Sequence, residues 1–369
     1  MDIHLILTKF IFTIIIGFNK IVKVMIIVKD SCELEKRFIM DKLSRIPIIK
    51  TCIHSSCNAN AFSLHIKYSN NAKQDIRFVT YDELFPLTVR NFINTMQNDN
   101  GLQYTVLVAP YVSEKSGAVC RENGIGYADL SGNIYLSTEF VYIYEKGNPN
   151  LFSKKQKVGN IFKALSSKTS SILRLLLADT EKVWKLKYLA EAADCSIGMV
   201  SKVKDVLCRQ LWAEMTLDGL KIIEAKGLLD AWAKEYAEQE VKVLSCYTSD
   251  PLPLFERKIK IMSDEKNIKC CLTGLAGGTR YAPVVRYNRV HILVDKADIY
   301  DFLELSGCKM VESGANVVII EAGKEHFIGA GDVNGDTVAS PVQVFLNCSA
   351  IKGRGVEMAE AVFRKKISK

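Results

Sequence analysis

The sequence predicts a multidomain chain of the α/β and α+β classes: an α/β domain toward the N-terminus, a central winged helix-turn-helix, and an α+β domain at the C-terminus. Three observations lead there. Short β-like runs alternate with helical ones from 61 to 145, three helical runs between 169 and 209 precede a hairpin signal at Asp218-Gly219, and strand and helix patterns mix again from 240 onward. At 369 residues, 48% apolar and 9% aromatic, the chain can bury several cores and does not have the composition of a disordered protein.

Residues 1–30 read as an apolar leader, with "FIFTIIIGFN" at 10–19 flanked by Lys9, Lys20 and Lys23. A spanning helix needs about 20 apolar residues, and no small-residue cleavage site follows. The segment is therefore expected to be a buried or floppy leader, or untranslated if the natural start is Met25 or Met40, and no membrane role is expected. Eleven cysteines, an odd total without a C-x-x-C pair, point to reduced thiols and a cytoplasmic location.

In the 31–150 domain, "AFSLHIKY" and "DIRFVTY" alternate as strands. A helical stretch lies around 87–97, "YTVLVAP" follows as a strand, "SEKSGAVCREN" as a helix, and "GYADLSGNIYL" and "FVYIYEKG" as strands. Residues 151–168, polar and rich in Lys, read as a linker.

The unit 169–238 is the clearest. "SSILRLLLADT" places Ile172, Leu175, Leu176 and Ala178 inward, and "KLKYLAEAA" places Leu186, Leu189, Ala190 and Ala193 on one stripe. A tight turn at Asp194-Cys195 leads to Ser196, whose hydroxyl suits an N-cap accepting from the Met199 N–H. At 100° per residue, Val200, Val203 and Leu207 share one side of the third helix, with Lys204 at its edge. Gly198, Ser201, Lys202, Asp205 and Arg209 fall opposite. "LWAEMTLDGLKII" then supplies two strands around Asp218-Gly219, and three helices with a hairpin make a winged helix-turn-helix. Residues 239–369 read as a separate α+β domain.

Charge concentrates in the same region. Between 151 and 210, twelve basic residues face five acidic ones, a net of +7 out of +8 for the whole chain. That window suits a surface that neutralises phosphates, although a solvated basic face has the same composition. The candidate DNA contacts are Ser196 on a phosphate, Ser201 and Lys202 on base edges, and Asp205 either accepting from a cytosine amine or holding Lys202 or Arg209. Lys221 is the candidate backbone contact of the wing.

Other chemistry is weaker. Cys52, His54, Cys57 and His65 are possible zinc ligands, but their spacing matches no common finger, so no metal site is expected. Asp129, beside Gly132 and Asn133, reads as a turn cap more readily than as a catalytic acid. "LAGGTR" at 275–280 with Asp295 and Asp298 faintly suggests a nucleotidyltransferase loop, yet two acids on one strand should stand two residues apart. With no P-loop, nucleophile elbow or His-Glu-x-x-His, no catalytic residue, enzyme activity or cofactor is expected.

Three segments in order, "VLVAPYVSEKSGAVCRENGIGYADLSGNIYL", "LKYLAEAADCSIGMVSKVKDVL" ending in "LLDAWAKEY", and "SPVQVFLNCSAIKGRGVEMAE", carry a resemblance. From about 58 onward the chain resembles the AbiE antitoxin family of type IV toxin–antitoxin (abortive infection) systems. The resemblance implies a transcriptional regulator whose winged helix binds its own promoter DNA, and a C-terminal domain that counteracts a nucleotidyltransferase-like toxin. It also implies a restriction-endonuclease-like N-terminal domain, whose metal site needs an acid on one strand and E-x-K on the next. Val79 and Tyr81 stand where Glu and Lys are wanted, and Asp82 and Glu83 come after the strand, so this domain is expected to be catalytically inactive. The alternatives are a metal-dependent nuclease delivered to DNA by its winged helix, and a protein-interaction scaffold.

Overall fold

The computed structural model describes residues 34–58, 60–96, 103–152, 161–162, 167–238 and 242–368. The apolar leader and most of the basic linker lie outside the described residues. The chain divides into two compact units, Met1–Lys155 and Gln156–Lys369.

The first unit is built on a seven-stranded sheet with the strands in sequence order. Helix α1 (34–44) leads into β1 (Ile49–Asn58), β2 (Ala61–Tyr68) and β3 (Lys73–Thr80), an antiparallel meander. The alternation of "AFSLHIKY" decides its faces, because Phe62, Leu64, Ile66 and Tyr68 are buried and the residues between them are half-buried. Ile39 and Leu43 of α1 join that core, where the Phe62 and Phe78 rings stack at 4.9 Å. Helix α2 (Pro86–Met96) and helix α3 (Glu114–Glu122) are the crossovers that place β4 (Tyr104–Ala109) and β5 (Gly126–Asp129) parallel to β3, since parallel neighbours cannot be joined by a tight turn. Strands β6 (Ile134–Ser137) and β7 (Tyr142–Glu145) finish the sheet antiparallel.

The second unit opens with α4 (Ser167–Ala178), α5 (Leu186–Ala192) and α6 (Ile197–Arg209). A two-stranded ribbon, β8 (Ala213–Met215) and β9 (Leu220–Ile222), and α7 (Ala225–Glu238) follow. Beyond them come β10 (Val243–Tyr247), α8 (Leu252–Glu265), β11 (Cys270–Thr273), α9 (Gly274–Tyr281), β12 (Val290–Asp295), α10 (Ile299–Ser306), β13 (Lys309–Met310) and β14 (Val317–Ala322). Strands β15 (Gly331–Val333) and β16 (Asp336–Val338) and helices α11 (Pro341–Ser349) and α12 (Gly355–Val362) complete it. The seven strands of its sheet run in the order β13-β10-β14-β12-β11-β16-β15.

One apolar core runs through this unit from Phe162 to Ile367, so the boundary read near residue 239 falls inside continuous packing. Helix α4 shows the consequence. Its expected stripe is there in Ile172 and Leu176, but Leu173, Arg174 and Leu177 are buried as well and Ala178 is exposed. A helix with neighbours on most sides buries more than one stripe. Arg174 donates to Ser170 on its own helix and to Gln343 Oε1 of α11, and its guanidinium lies 4.9 Å from the Trp232 ring of α7. Gln343 Nε2 donates to the Tyr236 hydroxyl at 3.0 Å and to Asn347 Oδ1 at 2.7 Å. Asn347 Oδ1 also accepts from the Thr273 hydroxyl of β11 at 2.7 Å, so a buried polar network ties the helices to the sheet.

Candidate nucleic-acid interface

Helix α6 starts where the sequence places its start. Asp194 adopts φ +49°, Ser196 is the N-cap, and its Oγ accepts from the Met199 N–H at 3.3 Å. Val200, Val203 and Leu207 are buried, whereas Ser196, Ile197, Gly198, Lys202 and Asp205 are exposed and Ser201 is half-buried. Nothing in the fold requires a glycine at 198, because the nearest atom to a Cβ there is Ser196 Oγ at 3.9 Å.

The charged candidates do not all stand as expected. Asp205 pairs with its neighbour Lys204 at 2.9 Å. Adjacent residues normally diverge by 100° on a helix, but the flexible Lys204 stem bends across the edge of the apolar side. Arg209 is half-buried and already engaged within the fold. Lys202 makes no ion pair among the described residues. In the ribbon, Lys221 stands opposite Glu214, and its Nζ reaches Glu181 Oε2 at 3.3 Å. Its charge is thus partly compensated before any ligand arrives.

The basic window is likewise not one face. Arg174 is 1% exposed, and its burial pushes the guanidinium down to about 10. Lys168 is paired with Asp194, and Lys154, Lys155, Lys157 and Lys163 lie outside the described residues. Composition counts charges without knowing which of them face solvent.

The ribbon is seated by a strand-like bridge in which the Trp184 and Leu220 N–H groups each donate to the other's carbonyl at 2.9 Å. Gly219, at φ +145°, lets the Trp184 carbonyl come so close that a Cβ would stand 2.4 Å from it. The reversal itself falls at Leu217-Asp218, since Thr216 N–H donates to Gly219 O at 2.8 Å. This places Leu217, fully exposed, at the tip.

Sequence reasoning counted Lys182, Lys185 and Lys187 only as part of the basic window and passed over Tyr188. Lys185, Lys187 and Tyr188 are exposed at the start of α5. With Val183, Trp184 and Asp218, Lys182, Lys185 and Tyr188 line a groove of about 520 Å³ between helix and ribbon. Tyr188 and Ile197 carried a signal, being large apolar side chains outside the buried stripes of their helices.

The other candidates serve the backbone. Asp129, buried, accepts from Val112 N–H at 2.9 Å, Asn133 N–H at 2.8 Å and Asn133 Nδ2 at 2.7 Å. Burial raises its carboxyl while these hydrogen bonds partly offset the rise. Val79 and Tyr81 pack into the apolar cluster shared with α2 and α3. His65 pairs with Asp75, and burial pushes the Cys52 thiol up to about 11. The side chains of His54 and Cys57 lie outside the described residues. In the 275–280 segment, a Cβ on Gly277 would meet Leu272 O at 2.9 Å and one on Gly278 would meet Met358 Cγ at 2.5 Å, so these glycines allow close helix packing. Asp295 accepts from Ala297 N–H and Asp298 from Lys269 N–H. Among the described residues no group of three His, Cys, Asp or Glu is placed to hold a metal ion, and no helix is long and apolar enough to cross a membrane.

Compared with known proteins, the chain has a partial likeness to the apo structure of EndoMS, at 12% identity and a TM-score of 0.20, covering 27% of this chain and 45% of that one. The chain thus spans under half of that structure's length, and a likeness at that score carries no argument about fold or activity. No curated protein matches the chain. Over residues 221–368, from the second ribbon strand through the C-terminal helix, the chain matches the family described as transcriptional regulators, the AbiEi antitoxins of type IV toxin–antitoxin systems.

Proposed function

We propose that residues 167–238 form a winged helix that binds double-stranded DNA at the chain's own promoter. In this reading the protein is the cytoplasmic antitoxin of a type IV toxin–antitoxin system, repressing its own promoter and counteracting a nucleotidyltransferase-like toxin. The observation that carries the DNA-binding part is the free side of α6. Three apolar residues anchor the helix, while Ser196, Ile197, Gly198 and Lys202 face outward with no core to serve. Gly198 is telling, because glycine costs a helix about 1 kcal/mol relative to Ala and no internal contact asks for it. Its use is the approach of an outside backbone to the first turn. There the free N–H groups and the helix dipole favour a phosphate, and Lys202, about one turn in, reaches base edges.

The antitoxin role rests on the family match over 221–368. The N-terminal unit, in this reading, keeps a nuclease-like scaffold without its chemistry, since Val79 and Tyr81 are committed to apolar packing.

The test is binding of the purified chain to its own upstream duplex and to a scrambled duplex. Lys202→Ala is expected to cost roughly 1–3 kcal/mol on the upstream duplex and much less on the scrambled one. Lys221→Ala, whose charge is shared with Glu181, is expected to weaken both duplexes equally. Equal wild-type affinity for both duplexes, or no effect of Lys202→Ala, would make α6 a structural prop.

A further inference from the structure

We propose that the open edge of the first unit's sheet pairs with the same edge of a second copy, joining two chains through β7 about a two-fold axis at Ile143. The inference is independent of the DNA-binding reading. Strand β7 stands last in the sheet order, and β6 is its strand neighbour among the described residues.

The ladder decides which backbone groups of β7 are used. Thr138 N–H donates to Val141 O at 2.9 Å, and the register continues through Leu136 with Ile143 and Ile134 with Glu145. Hydrogen-bonded positions alternate with non-bonded ones in an antiparallel pair. Val141, Ile143 and Glu145 therefore turn their N–H and C=O groups toward β6, and Tyr142 and Tyr144 turn theirs outward. Ser137 agrees, since its N–H, opposite Tyr142, donates instead to the Tyr104 hydroxyl at 2.9 Å.

The two edges of this sheet differ. Strand β1, at the far edge, shifts register between Ile49 and Thr51 and again between His54 and Ser56, and such bulges twist an edge away from pairing. Strand β7 keeps an unbroken register and contains neither Lys nor Pro, the residues that blunt an edge.

Side-chain chemistry selects a second copy of the chain as the occupant. Paired residues must share a face of the sheet, and an antiparallel pairing centred on Ile143 meets that condition while using both outward residues. Tyr142 then stands opposite Tyr144 of the second copy, and each of the two such pairs exchanges two main-chain hydrogen bonds. Tyr142 is 67% exposed. Both rings already pack edge-on against Tyr135, Tyr142 at 6.2 Å and Tyr144 at 5.8 Å, so the pairing extends an aromatic row across the axis. Charge matches as well. Lys146, whose partner in its own chain is Glu114 at 3.5 Å, falls opposite Phe140 of the second copy and beside that copy's Glu139. Glu139 is exposed and has no ion-pair partner among the described residues.

The experiment is sedimentation equilibrium of the full chain over a concentration series. Wild type is expected to associate from 41.3 kDa to twice that mass. Tyr142→Pro removes one outward N–H from each copy and leaves the β6–β7 hydrogen bonds in place. It is expected to raise the dimer Kd on the order of 10- to 100-fold with an unchanged far-UV spectrum. Should that variant fold poorly, charge reversal decides: Glu139→Lys is expected to weaken the dimer about 3- to 10-fold, and Glu139→Lys/Lys146→Glu to restore it. A wild-type chain that stays at 41.3 kDa throughout the series would overturn the self-pairing and leave the edge to an extended segment of another protein. A dimer indifferent to both Tyr142→Pro and Glu139→Lys would overturn β7 as the interface.

Discussion

Arg174 offers the sharpest test of whether the helices and the C-terminal sheet are one structure. Its guanidinium is 1% exposed, is hydrogen-bonded to Ser170 and Gln343, and has an Nε with no partner. Burial depresses it from 12.5 to about 10, an unfavourable bias on the order of 3 kcal/mol at neutral pH, from 1.36 kcal/mol per pH unit. Arg174→Met keeps the length, removes that bias and loses hydrogen bonds worth about 1.5–3 kcal/mol, so its net effect should stay within about 2 kcal/mol. Gln343→Met leaves the cation buried without its α11 acceptor and should cost about 3–5 kcal/mol. In the double variant the first change removes the charge that the second would strand. The two effects should then be non-additive by about 2–3 kcal/mol. The assay is urea denaturation followed by tryptophan fluorescence. All three tryptophans, Trp184, Trp212 and Trp232, lie in the second unit, so the signal reports that unit alone. Additivity within about 0.5 kcal/mol, or a separate early transition of the helices in the wild type, would refute the clamp.

Acidification should act on the two units in opposite directions. Burial, with the cations Arg289 and Arg174 nearby, pushes His291 and His326 down to about 4. The unfolded chain then binds more protons between about pH 6.5 and 4, and the second unit should lose about 3 kcal/mol per histidine as pH falls through that window. Glu35, raised to about 7 by burial and the nearby Asp82, binds its proton in the folded first unit, which should gain stability as pH falls from 7 toward 4.5. Tryptophan fluorescence set against whole-chain calorimetry separates the two, and a parallel shift of both units would count against this assignment. Gly219→Ala should cost about 1–3 kcal/mol, because φ +145° and the Trp184 carbonyl leave no room for a Cβ. A melting temperature equal to wild type would show that the ribbon is not seated on Trp184.

Much of the central unit was legible because its determinants are local. The stripe Val200-Val203-Leu207 has helical spacing, the Ser196 cap reaches three residues ahead, and the strand alternation of "AFSLHIKY" repeats every two residues. Periodicity of this kind survives tertiary packing, since it is what the packing uses. Charge partners were not legible. Lys204, at the edge of the apolar side, pairs with Asp205, and Lys221 reaches Glu181, forty positions away in sequence.

By itself, then, the sequence determined which segments are helix and strand and which side of α6 is apolar, because these follow from side-chain spacing along a few turns. Tertiary structure alone decided that Arg174 belongs to the interior. It donates to a residue 169 positions away, and its burial removes one charge from the basic window counted in the sequence. Tertiary structure also decided that the helices and ribbon at 167–238 and the C-terminal sheet share one core. The physical reason is that burial and ion pairing depend on which distant segments meet, and no window of sequence contains both partners.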